Sequence, residues 1–289
     1  MIKALLLPAV SALSLTFAMT ATAGHHEEGE KSDAQMSGAK AMIDKAVTDN
    51  AYRSEKNIAR DQYRHPAETL TFFGIEPDMT LVEVGPGGGW YTEILAPLVA
   101  EKGTYIALTG APEPGSRRYE QTMKWRDSYI DDSGKFGKTA VARFAGQDVP
   151  FAAPNSVDAA LIFRGMHGMI YYGDPKGMLA ELYASLKPGG VLGIVQHRAK
   201  ADDDNFPNLN MRGYVREDYV IKLVESAGFK LEAKSEINAN KKDPADWERG
   251  VWTLPPTLTT KKNDRKYMKI GESDRMTLKF VKPAATESR

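Results

Sequence analysis

Three polar side chains follow two apolar segments whose composition predicts buried strands. Arg164 and His167 come directly after the segment 157–163, and His197 follows the segment 191–196. Histidine is suited to general-base work near neutral pH, and arginine is suited to holding an anionic substrate. We therefore predict that these three residues converge in a catalytic cleft. The alternative is that they make structural hydrogen bonds around such a cleft.

A glycine-rich loop is the second feature with chemical potential. Residues 81–90 read Leu-Val-Glu-Val-Gly-Pro-Gly-Gly-Gly-Trp. Glycines allow a tight turn and a close approach of ligand to backbone, and the helix that follows points its positive end at the ligand. A dinucleotide fingerprint needs a third glycine where this chain has Trp90. The spacing instead gives an acid followed by alternate glycines; the alternative is a plain glycine turn.

The elements that would position these residues alternate between strands and helices. Apolar segments predict seven strands, at 80–84, 103–108, 139–144, 157–163, 191–196, 229–237 and 276–281. Helical patterns lie between them, notably at 90–100, 176–186 and 217–227. This alternation predicts an α/β fold: a doubly wound, mostly parallel seven-stranded sheet in three layers, with the last two strands as an antiparallel edge pair.

Two regions flank or interrupt this predicted domain, which covers residues 76–283. Residues 39–75 have helical periodicity, and Pro66 suits the first turn of a short helix. Tyr63, Arg64 and His65 precede that proline, either as part of a lid over the cleft or as a surface helix end. The insertion 238–275 contains tryptophans and prolines, which predict an ordered loop that shapes a binding surface or packs over the sheet edge.

The N-terminus has the layout of a secretory signal. Lys3 precedes an apolar run, and residues 21–23 have the small-x-small pattern of a cleavage site. We therefore expect residues 1–23 to be removed, with a periplasmic or secreted product that keeps no stable membrane insertion. The alternative is an uncleaved anchor. Residues 24–38 are interpreted as a flexible leader, in which His25 and His26 have no fixed geometry for a metal.

Composition excludes several classes of site. The chain of 289 residues has 38 basic and 38 acidic side chains without a basic block, which argues against nucleic acid as the main partner. It has no cysteine, so disulfides, thiolate metal sites and cysteine nucleophiles are excluded. No metal site is predicted, and the oligomeric state is left open.

The motifs in their order resemble class I S-adenosylmethionine-dependent methyltransferases, and more closely a group of exported bacterial methyltransferase-like proteins. Besides the glycine loop, the resemblance rests on residues 146–151, the strand 158–163, the Leu-Lys-Pro-Gly-Gly turn at 186–190 and the Ala-Gly-Phe turn at 227–229. It covers roughly residues 60–282. It implies a Rossmann-like methyltransferase fold with S-adenosyl-L-methionine as cofactor.

The same resemblance implies roles for individual residues. Glu83 would contact the methionine amino group, and Gly85, Gly87 and Gly89 would let the cofactor pass close to the backbone. Asp148 would lie near the adenine amine, or else it is a turn residue before Pro150. Family members usually have an acid at the end of the second strand to hold the ribose hydroxyls; this chain has Thr109, which offers one hydrogen bond and no bidentate carboxylate.

Two kinds of function are consistent with these observations. The first is methyl transfer from S-adenosylmethionine to a small-molecule acceptor, which requires mainly positioning and a base. The second follows from the predicted export, because S-adenosylmethionine is made in the cytoplasm. In that case the chain is an exported ligand-binding protein that retains the fold, either without catalysis or with hydrolysis or elimination at His167 and His197.

Overall fold

A seven-stranded sheet forms the centre of the computed structural model, which describes residues 24–49, 51, 53–110, 114–129, 139–144, 150–203, 212–260 and 264–284. The strands are β1 (Thr80–Val84), β2 (Thr104–Gly110), β3 (Thr139–Phe144), β4 (Val157–Phe163), β5 (Leu186–His197), β6 (Lys230–Ser235) and β7 (Arg275–Val281). Their order across the sheet is β3-β2-β1-β4-β5-β7-β6. The predicted α/β fold class is confirmed.

Strands β1 to β5 run parallel, whereas β7 is antiparallel to both β5 and β6. Val84 is paired with Leu108 of β2 and with Ile162 of β4, so these three strands end at the same edge. In open α/β sheets, ligands bind outside the carboxyl ends of the strands. The segments that follow β1, β4 and β5 therefore meet at the edge where a ligand is expected.

Helices cover the two faces of the sheet. Their bounds are α1 (Gly24–Thr48), α2 (Glu55–Ile58), α3 (Asp61–Arg64), α4 (Pro66–Phe73), α5 (Thr92–Val99), α6 (Arg117–Tyr129), α7 (Met166–Tyr172), α8 (Pro175–Ser185), α9 (Glu217–Glu225) and α10 (Asp264–Ile270), with a 3₁₀ turn at Gly250–Thr253. Proline occupies the first turn of α4 and of α8, where its missing N–H costs nothing. Asp174 caps α8 by accepting a hydrogen bond from the Gly177 N–H.

Alternate side chains along the strands supply two apolar clusters, one on each face. Val82, Ile162 and Ile194 pack with α8 and α9, whereas Leu81 and Leu161 pack with α4 and α5. Gly193 of β5 lies beneath α4, where an added Cβ would approach Phe73 and Leu161 to 2.8 Å. The small residue therefore sets how closely α4 approaches the sheet. The three predicted layers follow from this arrangement.

Two local expectations differ from the structure. Residues 24–38, expected to form a flexible leader, lie within α1, and their Glu, Lys, Gln, Ala and Met residues are good helix formers. The Lys-Pro-Gly-Gly turn at 187–190 belongs to β5, which begins at Leu186. The N–H of Gly189 donates to the carbonyl of Lys282, and this hydrogen bond holds the turn in the strand.

Some predicted features lie outside the described residues, namely the signal segment 1–23 and Asp148. Within the part of the chain that the structure does describe, no helix has the length and apolar composition needed to cross a bilayer.

Candidate functional site

Glu83 occupies the penultimate position of β1 and is only 3% exposed. Its Oε2 accepts hydrogen bonds from the hydroxyls of Tyr105, at 2.5 Å, and Thr92, at 3.1 Å. Burial raises the pKa of Glu83 to about 7, against the opposing effects of these two donors and of Arg164. No described residue donates to Oε1, which leaves this oxygen for a ligand.

The glycine loop between β1 and α5 has the backbone conformation that its composition predicts. Gly85, Gly87 and Gly89 have φ values of 65°, 60° and 82°, a region that L side chains rarely adopt. The Gly85 N–H donates to the carbonyl of Leu108 at 2.8 Å and so ties the loop to β2. No atom lies within 4 Å of a Cβ built at Gly85. The open face of the loop therefore leaves room for a ligand.

Gly89 has a different role from the two earlier glycines. Its N–H donates to the carbonyl of Pro86, and its own carbonyl accepts from the N–H of Glu93. It starts the helix, whereas Gly88 joins Gly85 and Gly87 in the wall of the adjoining cavity.

Trp90, which replaces the third glycine of a dinucleotide fingerprint, is buried and forms part of the wall of the cavity beside the loop. Its indole N–H donates to the carbonyl of Asn57 at 2.7 Å. The guanidinium groups of Arg64 and Arg53 lie over the ring, 4.6 Å and 5.4 Å from its centroid. The cavity beside the loop therefore stays open.

That cavity has a volume of about 520 Å³ and lies at the carboxyl ends of β1, β4 and β5. All three residues predicted to be catalytic, Arg164, His167 and His197, line it together with Glu83. The rings of Tyr91 and Phe163 stack at a centroid separation of 3.4 Å and form an apolar part of its wall. The structure thus brings these three polar side chains together at one edge of the sheet.

The two histidines are held by hydrogen bonds on one ring nitrogen each. His167 Nδ1 lies 3.3 Å from Nε2 of Gln196, and His197 Nδ1 lies 2.5 Å from Oγ of Ser273. The ring centroids are 5.7 Å apart. Burial lowers the pKa of both side chains, and for His197 the nearby charges of His167 and Arg164 lower it further. Both imidazoles are therefore neutral at pH 7 and able to accept a proton.

Arg164 has its backbone in the left-handed region, at φ 56°, with its N–H bonded to the carbonyl of Val195. This turn directs the chain from the end of β4 into α7. Burial lowers the pKa of Arg164 to about 10, so it remains a cation at neutral pH. Within the described residues, no carboxylate forms an ion pair with its guanidinium.

A buried carboxylate lies behind this wall of the cavity. Glu272 accepts from Arg60 Nε at 2.7 Å, from Arg64 Nε at 3.1 Å and from Arg275 Nη1 at 3.2 Å. Its charge also influences Arg164. Three guanidinium groups thus share one carboxylate next to the site.

A second cavity, of about 390 Å³, adjoins the other side of the glycine loop. Gly85 and Gly87 belong to both cavities, and Thr109, Gln121 and Trp125 line the second one. Thr109 Oγ1 lies 3.3 Å from the carbonyl of Ala142, to which it donates. The structure thus places Thr109 beside the loop, at the end of β2, with its hydroxyl hydrogen already engaged.

Sequence reasoning missed the N-terminal residues that reach the main cavity. Lys56, Asn57 and Arg60 line it, whereas Arg64 is buried under Trp90 and His65 caps the start of α4. Tyr63, Arg64 and His65, for which a lid was one alternative, are therefore not part of the cavity wall. Lys56 lies in α2 and Arg60 lies in the turn before α3, so no helical periodicity marks the two cations in the sequence.

The insertion 238–275 contributes to the site as well as packing over the sheet. Trp252 and Pro256 line the main cavity. Ser273 forms a hydrogen bond with His197, and Glu272 forms ion pairs with the arginines described above. Among the described residues, no group of three or more His, Asp and Glu side chains is arranged to hold a metal ion.

A larger cavity, of about 620 Å³, lies beyond the end of β5, and its charged groups are already paired. Arg198 bonds to Asp274 and Glu236, and Arg216 bonds to Asp218. It has no unpaired group comparable to Arg164, which makes the glycine-loop cavity the better candidate.

Comparison with known proteins agrees with this geometry. Residues 82–194 match a family model described as a methyltransferase domain, whereas a search of the curated proteins gives no match. Among solved structures, an S-adenosylmethionine-dependent methyltransferase from Aquifex aeolicus is 20% identical with a TM-score of 0.53, and the alignment covers 78% of this chain and 93% of that one. An arsenic(III) S-adenosylmethionine methyltransferase from Chlamydomonas reinhardtii is 15% identical with a TM-score of 0.45, covering 85% and 74%.

The Aquifex structure shows that this chain has the same fold. The family match indicates a methyltransferase domain over residues 82–194. The region matched by the family model contains the glycine loop, Arg164 and His167, and it ends three residues before His197.

Proposed function

We propose that this chain is an S-adenosylmethionine-dependent methyltransferase that acts on a small-molecule acceptor. The observation that carries the proposal is the position of the glycine loop. Its open face borders two cavities, one beside Glu83 and the histidines and the other beside Thr109. An elongated nucleoside with an amino-acid tail needs two such spaces joined at a backbone without side chains.

The residues present fit this cofactor. Glu83 Oε1 would accept a hydrogen bond from the cofactor's ammonium group. The buried amide Nδ2 of Asn57, which finds no acceptor among the described residues, would donate to its carboxylate. Gln121 and Thr109 would face the ribose, with the indole of Trp125 at the adenine end, and Asp148 is proposed for the adenine amine. When bound, the cofactor supplies an electrophilic methyl group on a sulfonium.

The chain's own residues would orient the acceptor and remove its proton. If His197 Nδ1 carries the ring proton and donates it to Ser273 Oγ, its Nε2 has a lone pair for the proton of the acceptor. If His167 Nδ1 likewise carries the ring proton and donates it to the amide oxygen Oε1 of Gln196, at 3.5 Å, its Nε2 also has a lone pair for a proton. Trp252 and Pro256 would exclude water from the cavity, and Arg164 would orient the acceptor.

The direct test is calorimetry of the full chain with S-adenosylmethionine and S-adenosylhomocysteine. The proposal expects micromolar binding of both, and absence of binding would overturn it. Replacing His167 or His197 with glutamine should then leave this affinity within about threefold while removing turnover, as expected for a base that acts on the acceptor. If neither substitution lowers turnover, the histidines are structural.

One observation favours a second candidate function. The end of β2 offers Thr109, whose hydroxyl hydrogen is engaged by Ala142, where a carboxylate would hold the ribose. On this basis the chain would bind a different ligand in the same cavities, without methyl transfer. Retention of adenosine analogues that lack the amino-acid tail, with no retention of S-adenosylhomocysteine, would favour this second function.

We further propose that the chain is exported to the periplasm or beyond. The support is the sequence of residues 1–23, with Lys3, an apolar run and a small-x-small ending. Fusing these residues to a reporter that is active only outside the cytoplasm tests this. N-terminal sequencing of the product should find Gly24 first, whereas retention of Met1 would contradict cleavage.

A further inference from the structure

We propose that the methyl acceptor carries an oxyanion, a carboxylate or a phosphate, which binds the guanidinium of Arg164 beside the two histidines. This inference rests on the proposed function and names the substrate class of the same site. It is carried by the distribution of charge around the cavity of about 520 Å³.

Arg164 is a cation in the cavity wall whose guanidinium forms no ion pair with a carboxylate of the described residues, although the charge of Glu272 acts on it from behind the wall. The comparison with the larger cavity is informative, because its arginines, Arg198 and Arg216, both form ion pairs with carboxylates. A half-buried guanidinium with no carboxylate is costly unless a ligand supplies the anion. Arginine is also well matched to carboxylate and phosphate oxygens, to which it can donate two parallel hydrogen bonds.

The groups behind Arg164 increase the positive charge instead of cancelling it. Glu272 is the carboxylate shared by Arg60, Arg64 and Arg275. Both Nη atoms of Arg64 are buried without a hydrogen-bond partner, although the group stacks on Trp90. Arg60 and Lys56 add their charges directly at the cavity wall. The ion pairs within the protein therefore leave an excess of cations at this site.

The cofactor as a whole does not balance the positive charge of this site. S-adenosylmethionine has one carboxylate, one ammonium group and one sulfonium, so it adds positive charge to the cavity. Its carboxylate contributes a single negative charge, which the proposed function places beside Asn57, and its ammonium uses the negative charge of Glu83. A negatively charged acceptor is the remaining component of the complex that can balance the site.

Arg164 lies close to the histidines, so an anion that binds it would belong to the same molecule as the group that is methylated. Arg164 and His167 are three residues apart across the turn from β4 into α7, and both line the cavity with His197. An acceptor held through its oxyanion at Arg164 would present a neighbouring N–H or O–H to an imidazole. The cavity volume, which the acceptor shares with the methionine end of the cofactor, limits it to a small molecule.

The test uses the full chain saturated with S-adenosylhomocysteine and follows its melting temperature during titration with sodium acetate, inorganic phosphate or tetramethylammonium chloride. Ionic strength is kept constant with sodium chloride. Arg164→Gln removes the proposed anion partner while keeping a polar side chain. Arg216→Gln is the matched control, because Arg216 is also an arginine in a cavity wall but is paired with Asp218.

The proposal expects one of the two oxyanions to stabilise the wild-type complex, with tetramethylammonium giving no effect; the oxyanion that binds more tightly identifies carboxylate or phosphate as the acceptor group. Arg164→Gln should weaken that binding by at least about tenfold, and Arg216→Gln should leave it unchanged. S-adenosylhomocysteine affinity of Arg164→Gln should stay within about threefold of wild type.

Three results would overturn the proposal: neither oxyanion stabilises the complex, both arginine variants respond like wild type, or Arg164→Gln loses S-adenosylhomocysteine affinity instead. The last result would mean that Arg164 serves the cofactor carboxylate. If wild type fails to bind S-adenosylhomocysteine, the proposed methyltransferase function fails. In that case, titration of the free chain and of Arg164→Gln still shows whether an oxyanion site exists.

Discussion

At the scale of single residues, the burial of Glu83 and the charge that it needs to bind a cofactor oppose each other. It lies in a buried position, where an ionised carboxylate is costly, yet a cationic cofactor requires that charge. The hydroxyls of Tyr105 and Thr92 offset only part of the cost, and the pKa stays at about 7. The free energy of unfolding of the free protein is therefore lower at high pH, where Glu83 is ionised and able to bind a cationic ligand.

We predict that Glu83→Gln stabilises the free protein in a pH-dependent way. Between the ordinary pKa of 4.5 and the folded value of about 7, the native state binds more protons than the unfolded state, so stability falls as pH rises. At about pH 8 the substitution should raise the free energy of unfolding by about 1–3 kcal/mol, and near pH 4 it should change little. Denaturant unfolding at both pH values measures this.

The same variant should bind S-adenosylmethionine at least about tenfold more weakly at pH 8, because the ammonium group loses its charged partner. Equal stability of variant and wild type at both pH values would show that Glu83 titrates normally.

The histidines give a prediction about the pH dependence of turnover. Because burial lowers the pKa of His167 and His197 below 6.5, the base should stay unprotonated as the pH falls through that value. We expect kcat to remain constant down to 6.5 and to decline only at lower pH. The rate profile under saturating cofactor is the measurement, with His65→Asn as a control outside the cavity. A decline centred at or above 6.5 would contradict neutral, buried imidazoles.

Residue types and strand ends were sufficient to predict which side chains of the carboxyl edge meet. Arg164, His167 and His197 could be placed together because each follows a parallel strand of the same sheet. The contributions of Lys56 and Trp252 were not predictable in this way. They depend on how a helical turn and an insertion pack over the cavity, and nothing in their local sequence records those long-range contacts.

At the scale of elements, the glycine loop combines a backbone requirement with a space requirement, and substitution can separate them. Gly87→Ala puts a Cβ on a residue with φ 60°, and the nearest atom, the carbonyl oxygen of Gly85, is 3.9 Å away. The strain alone should cost about 1–2 kcal/mol of stability. Since the new methyl group lies on the face proposed for the cofactor, affinity should fall by more than about tenfold.

Gly115→Ala is the matched control for that prediction. Gly115 has φ 79° with no atom within 4 Å of the added Cβ, and it lines neither cavity beside the loop. Both variants should lose similar stability in thermal denaturation, but only Gly87→Ala should lose S-adenosylhomocysteine binding in calorimetry. Equal affinities for the two variants would show that the ligand does not approach the loop.

Element prediction succeeded where apolar patterning determines structure. Strands β3 and β4 have the predicted bounds, because each is a mainly apolar run. β4 pairs on both sides, whereas β3 lies at the edge of the sheet. The start of β5 was wrong, because Pro188 and two glycines resemble a helix stop, whereas the backbone hydrogen bonds to Lys282 extend the strand. Helix α7 was missed since it is one short element between Gly165 and Gly173.

At the scale of the whole molecule, Glu272 joins segments that are far apart in sequence. It bonds to Arg60 and Arg64, more than two hundred residues earlier, and to Arg275 of β7. Removing one partner from a buried ionic network leaves the others uncompensated.

We therefore predict that Glu272→Gln destabilises the fold by about 3–5 kcal/mol, because three guanidinium groups lose their shared carboxylate. Glu236→Gln is the control: its side chain is 68% exposed and pairs with Arg198, so the change should be under about 1 kcal/mol. Urea unfolding of both variants measures the difference. Similar values for the two would mean that the arginines are neutralised by another group.

The position of β7 between β5 and β6 has a consequence for biosynthesis. Until residues 275–281 leave the ribosome, the outer side of β5 has no neighbour, and β6 has nothing to pair with. Ser273 and Glu272 are synthesised immediately before that strand. The nascent chain therefore cannot form the hydrogen bond to His197 or the ion pairs of Glu272 with the arginines any earlier. A chain exported as proposed above would thus be unable to reach its final fold until β7 has been synthesised, which keeps it suitable for passage as an extended polypeptide.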